Sequence, residues 1–110
     1  MAIATAKQAY QGALSATTTT PLYAVPGATK FLLNSIVLCN TDTSTRTVTM
    51  QLGAGTAAAN RFLSALSLTP GETKVVEFAK PIVLQATETI SGGASSAAVV
   101  SATISGVEVA

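Results

Sequence analysis

The clearest alternation in the chain is "TVTMQL", Thr47 to Leu52, which sets Val48, Met50 and Leu52 on one side and Thr47, Thr49 and Gln51 on the other. A period of two is that of a β-strand with one buried face and one face left wet or covered by a partner. Upstream, Phe31 to Cys39 alternates Phe31, Leu33, Ser35, Val37 and Cys39 against Leu32, Asn34, Ile36, Leu38 and Asn40. Both sets are largely apolar, so this strand is predicted to be covered on both sides at its middle. The residues between them, "NTDTST" from Asn40 to Thr45, tolerate turn geometry and bond their own backbone. The two strands are predicted to form a hairpin. A further strand, Leu22 to Val25, precedes Pro26-Gly27, where Pro26 fits the second position of a type II turn and Gly27 the positive φ of the third.

The second half repeats this grammar. "GAGTAAAN", Gly53 to Asn60, reads as a loop, and "RFLSALSL" after it fits either a helix or a strand. Pro70-Gly71 turns the chain into a strand from Thr73 to Phe78, and Pro81 breaks or edges the next one. "PGATK" at Pro26 and "PGETK" at Pro70 are two solutions to one turn problem rather than a duplication, since their flanks differ. Gly92-Gly93 reads as a turn before a strand from about Ala98 to Ile104, with a short continuation at Val107 to Val109. Ile3, Ala6, Tyr10 and Leu14 have near-helical spacing, but Gly12 and "SATTTT" shorten any helix. Residues 1–9 therefore read as a loose N-terminal arm leading into a strand around Tyr10 to Leu14. Eight or nine short strands in one domain of 110 residues predict an all-β fold, an antiparallel β-sandwich of jelly-roll type, with Val37, Val48, Met50 and Leu52 in its core.

Composition sharpens the surface rather than the fold. Aromatic residues are 5% of the chain, so the core is built mainly from Val, Ile and Leu. Charged residues are 10%, against about 25% in an average soluble protein, and Thr and Ser supply the polarity. Such a surface suits an ordinary, quiet β-domain. It equally suits faces covered by neighbours in an assembly, because burying hydroxyls costs less than burying unpaired charges. The net charge is +1, with Lys7, Lys30, Arg46, Arg61, Lys74 and Lys80 scattered, which gives no footprint for a phosphate backbone. No apolar run approaches the roughly 20 residues of a membrane-spanning helix. The lack of a basic start with an apolar run behind it, and the single Cys39, predict assembly in a reducing cytoplasm.

The candidate chemistry is thin. The chain has no histidine, which removes the usual general base near neutral pH and the commonest metal ligand. Cys39 sits in an apolar strand, where an inert thiol is expected. Asp42, Glu72, Glu77, Glu88 and Glu108 are dispersed; two of them can still meet in space, but a two-carboxylate glycosidase site also needs a cleft. "GAGTAA", Gly53 to Ala58, matches the G-x-G-x-x-A dinucleotide fingerprint, with Glu77 near the spacing of a ribose-binding acid. The preceding strand alternates, however, whereas the first strand of a nucleotide-binding fold is continuously apolar. The expectation is a protein that is not an enzyme and binds no metal, nucleotide or other cofactor.

"TTTTPLYAVPGATKFLLNSIVLCNTDTSTRTVTMQL" resembles small β-sandwich virion proteins of tailed bacteriophages, in which a Thr-Leu-Tyr-x-Val-Pro turn leads into a long strand ending near Cys-Asn, followed by a Val-Thr strand. "LSLTPGETKVV", "PIVLQATETI" and "ATISGVEV" are similar too, so that the resemblance runs from about Thr17 to Val109. The chain departs from that pattern at Pro26-Gly27-Ala28, where Pro-Ala-Gly is usual, and at Ala86-Thr87-Glu88, where Ala-Gly-Asp is usual. The resemblance implies a structural virion protein: a capsid cement or decoration protein contacting the major capsid protein, or alternatively a tail, neck or fibre accessory. A carbohydrate-binding module is the third reading, although the chain has no tryptophan for an aromatic platform. A homo-oligomer is expected, with a trimer favoured, and Lys7 and Tyr10 on the N-terminal arm are the candidate partner contacts.

Overall fold

In the computed structural model, which describes residues 3–53 and 60–110, the chain forms eight strands. They are β1 (Ala4–Ala13), β2 (Pro21–Ala24), β3 (Lys30–Asn40), β4 (Arg46–Leu52), β5 (Arg61–Leu68), β6 (Thr73–Leu84), β7 (Thr89–Ala94) and β8 (Val100–Val109). They build two four-stranded antiparallel sheets, ordered β1-β8-β3-β6 and β2-β7-β4-β5. First pairs with last, second with seventh, third with sixth and fourth with fifth, while β3:β8 and β4:β7 complete the sheets. This is one long hairpin rolled over on itself, the eight-stranded jelly roll, and it agrees with the sandwich expected from the strand pattern.

Rolling changes which strands are partners. β3 and β4 are strands as expected but not a hairpin: β3 lies in one sheet, β4 in the other, and the Thr41–Thr45 segment carries the chain between them. β2 and β3 are likewise in different sheets. Alternation reports which residues share a face, not which strand lies alongside; among the described residues β4 and β5 are the one pair of sequence neighbours that hydrogen-bond. Gly92 and Gly93 lie inside β7 rather than in a turn, β8 runs unbroken to Val109, and "RFLSALSL" is the strand β5. Pro81 sits within β6, an edge strand, in a bulge that places four residues opposite Asn34, where a missing N–H is tolerated. From Ala4 the expected arm is strand β1, paired with β8 along its length.

The core lies between the sheets, with Phe31, Leu33, Ile36, Leu38, Val48, Met50, Leu68, Leu84, Ile90 and Ile104 fully buried. Each such side chain contributes roughly 1.5–3 kcal/mol relative to exposure. Val48 and Met50 are where the alternation put them, and Leu52 is half-buried against the core. Val37 is not in the core: a bulge at Asn34 shifts the phase of β3, so that Phe31 and Leu33 point inward before it and Ile36 and Leu38 after it. Asn40, also buried, ends the strand as a tie between loops. Its Nδ2 donates to the carbonyls of Ser44, Leu68 and Thr69 at 2.9, 3.0 and 3.2 Å, and its Oδ1 accepts the N–H of Asp42 at 2.9 Å.

The threonine-rich segment between β1 and β2 forms a strap beside β7. The N–H groups of Ala94 and Gly92 donate to the carbonyls of Ser15 and Thr20, and Gln51 Nε2 donates to the carbonyl of Thr18 at 3.3 Å. The strap buries Gln51, a residue that the alternation placed on a wet face. A Cβ on Gly93 would stand 2.5 Å from the Thr17 carbonyl oxygen and 2.8 Å from that of Ser15. This position needs glycine for close approach. The turns also differ from expectation in one place: Gly71 takes the positive φ of its turn (+75°), but in the Pro26 turn Ala28 (+58°), not Gly27, does so, and in the β6–β7 turn Thr87 holds +69°.

Two outcomes follow for stability. Gly93→Ala should destabilise the domain by about 2 kcal/mol through overpacking against the strap, read from the denaturant midpoint. Thr87→Gly should stabilise it by about 1 kcal/mol, since the left-handed conformation costs a β-branched residue more than glycine.

Candidate interaction surface

The ionisable groups are spread over the molecule, and four of the five side-chain carboxylates serve the fold. Glu72 Oε1 accepts the N–H of Thr69 at 2.8 Å and Glu88 Oε1 that of Gln85 at 2.6 Å, so each acid closes the turn that it ends. The Thr69 N–H holds the Glu72 carboxyl below its usual range. Asp42 accepts a 2.6 Å bond from Arg46 Nε, and this bond, with the Thr43 N–H, lowers its pKa. Glu108 accepts from Lys7 Nζ at 2.9 Å and from the Tyr23 hydroxyl. Glu77 is the one side-chain carboxylate among the described residues with no hydrogen bond or ion pair. No group of three or more metal-ligating side chains occurs among those residues.

The Lys7–Glu108–Tyr23 cluster joins the two sheets at their β1–β2 side, with the Lys7 ammonium also 5.3 Å from the Tyr23 ring centre and the Tyr23 ring 4.8 Å from that of Phe31. Lys7 and then Tyr23 depress the Glu108 pKa, while burial and then the hydrogen bond to Glu108 raise that of Tyr23. The candidate contacts Lys7 and Tyr10 thus share a strand but are engaged within the chain. Lys7 bonds Glu108, and the Tyr10 hydroxyl donates to the carbonyl of Ala13 at 2.7 Å. Of the G-x-G-x-x-A segment, only Gly53 is among the described residues, donating to the carbonyl of Thr89 at 2.6 Å; Ala54 to Ala58 lie outside them. The strand before the motif is followed by the antiparallel β5, and Glu77 stands in the other sheet.

The outer faces of the two sheets differ. The strap covers part of the β2-β7-β4-β5 face. The β1-β8-β3-β6 face is bare among the described residues and nearly uncharged. The register aligns its side chains in rows: Val83, Leu32, Val107 and Ala6; then Glu77, Ser35, Ser105 and Gln8; then Val75, Val37, Thr103 and Gln11. Val75 and Val83 are 56% and 49% exposed, high for large aliphatic side chains. The sequence pattern carries half of this: "KFLLNSIVLCN" is apolar on both faces and predicts cover on both sides, whereas the outward Val75 and Val83 of β6 carry no such signal in the sequence. A cleft of about 400 Å³ at one end of the sandwich, lined by Ala28, Lys30, Gln85, Ala86 and Val109 among others, holds no cluster of titratable groups.

No family model matches this chain, and no curated protein does. Among solved structures, it is similar to a chain of the T13 IBDV viral particle, with a TM-score of 0.54 and 14% sequence identity. The match covers 98% of this chain and 31% of that one, so this chain spans about a third of the length of its structural neighbour. At that identity the likeness is one of fold alone.

The cluster at Glu108 sets a pH dependence. Glu108 has a folded pKa below its ordinary 4.5. Its contribution is therefore present above about pH 4.5 and lost as the pH falls through the folded value. Tyr23 has a folded pKa above its ordinary 10.0, so the contribution of its neutral hydroxyl is present below pH 10 and lost as the pH rises beyond it. Melting temperature should be level between these limits and fall on both sides, and Glu108→Gln should lower it at pH 7 but much less at pH 3.

Proposed function

We propose that this protein is a structural component of a tailed-phage virion, a cement or decoration protein that binds outside the capsid shell and holds neighbouring capsid subunits together. The observation that carries this reading is the bare, nearly uncharged outer face of the β1-β8-β3-β6 sheet, with its exposed valines. Such a face is cheap to desolvate and suits burial between the subunits of a protein assembly, a second copy of the chain included. The fold likeness to a viral-particle chain and the sequence resemblance from Thr17 to Val109 support the same reading. On this account the protein assembles in the host cytoplasm as a homo-oligomer, acts without a cofactor and catalyses no reaction.

Purified protein mixed with emptied, expanded capsids that lack it should co-sediment with them and raise their resistance to heat. Failure to bind capsids, together with binding to isolated tails, would replace the cement assignment with a tail or neck accessory. Quantitative gels of the virion separate the same two readings, since a cement protein is present in hundreds of copies.

A further inference from the structure

The bare face of the β1-β8-β3-β6 sheet is complementary to itself. Its two middle strands, β8 and β3, carry Val107 and Leu32 in one row and Thr103 and Val37 in another. Its two edge strands, β1 and β6, oppose Ala6 to Val83 and Gln8 to Glu77 across the sheet. A two-fold axis along the strand direction, between β8 and β3, lays β3 of one copy over β8 of the next and β6 over β1. Leu32 then meets Val107 of the second copy and Val83 meets Ala6, each contact occurring twice as an isologous interface requires. Glu77, the one acid of these rows, meets the Gln8 amide, which can donate to it, and no two like charges are opposed within the rows.

We infer that this face is where two copies of the chain pair in solution. Four strands about 4.8 Å apart and about ten residues long present roughly 600 Å². Two such faces cover about 1,200 Å², the lower bound of a specific, stable interface. Aligned packing of two sheets about 10 Å apart is an ordinary arrangement, and the covered valines supply the driving force. A pair closed by a two-fold axis is a dimer; a trimer would need this face to meet a different surface. The inference stands on the face alone and does not depend on the virion reading; a pair closed in this way meets any capsid through its other surfaces.

Sedimentation equilibrium of the full chain should give twice the 11.0 kDa chain mass at micromolar concentration. Leu32→Asp, on the outer face, should weaken pairing about thirtyfold or more while leaving the far-ultraviolet circular dichroism of a β-protein intact. The charge variants are more diagnostic. Within one copy Gln8 and Glu77 are three strand spacings apart, about 14 Å, beyond the screening length of about 8 Å at physiological salt. Only a facing copy brings them together. Gln8→Lys should therefore tighten the dimer about three- to tenfold, Gln8→Glu should loosen it to a similar degree, and Glu77→Lys added to Gln8→Glu should restore it. A monomer at all concentrations, a trimer, or a dimer indifferent to the sign of residue 8 would overturn the inference.

Discussion

A line of bulges crosses the β1-β8-β3-β6 sheet and sets which side chains of β1 and β3 face the core. β1 is irregular between Gln8 and Tyr10, β3 between Leu33 and Ser35, and β6 opposite the same point, all within a residue of Ser105 on β8. Because side chains alternate with a period of two, one extra residue in a strand moves everything after it to the other face. The bulge at Asn34 sends Ile36 and Leu38 inward and turns Val37 and Cys39 out. Without it, Phe31 and Leu33 would share a face with Val37, and the buried layer against Val48 and Met50 would be a different set of residues. The exposed face and the core are thus two consequences of one irregularity.

This explains what the chain disclosed in advance and what it withheld. Period-two patterning with proline and glycine punctuation showed the strands, their antiparallel sandwich and the inward Val48 and Met50. It could not show the phase of β3, since both faces of that strand are apolar and either choice satisfies the pattern. Nor could it show that β3 and β4 part company, because a loop such as Asn40 to Thr45 looks the same whether it closes a hairpin or crosses between sheets. The pairing that decides the matter, of β3 with β6 and β8, joins residues more than thirty positions apart. Gly92 and Gly93 misled for a related reason. Glycine marks both turns and places where another backbone comes close, and at Gly93 the nearby backbone is a strap from the far end of the chain.

The low charge of the chain acquires a structural account once the acids are located. Glu72 and Glu88 close turns, Asp42 holds Arg46 beside the loop it begins, and Glu108 ties β8 to Lys7 on β1 and Tyr23 on β2. A carboxylate that accepts backbone N–H groups or a lysine stays ionised at little cost. These acids therefore tie loops and strands of the fold to one another. Glu77 is left as the acid with no such task, and it stands on the bare face.

The two outer faces carry similar polar residues put to different ends. On the β2-β7-β4-β5 sheet, the threonine-rich segment from Leu14 to Thr20 spends its carbonyls on Gly92, Ala94 and Gln51, so that part of the face is covered from within the chain. On the β1-β8-β3-β6 sheet nothing among the described residues is laid over Val75, Val83, Leu32 and Val107. A chain with so few charges leaves such a face with little to hold water strongly, and desolvating it sacrifices few hydrogen bonds because its hydroxyls can bond to a partner's polar groups as they did to solvent. A strand pattern that is apolar on both faces is usually explained by a second layer in the same domain. In this domain the jelly roll supplies one layer, and the other face of β3 remains available to a second polypeptide.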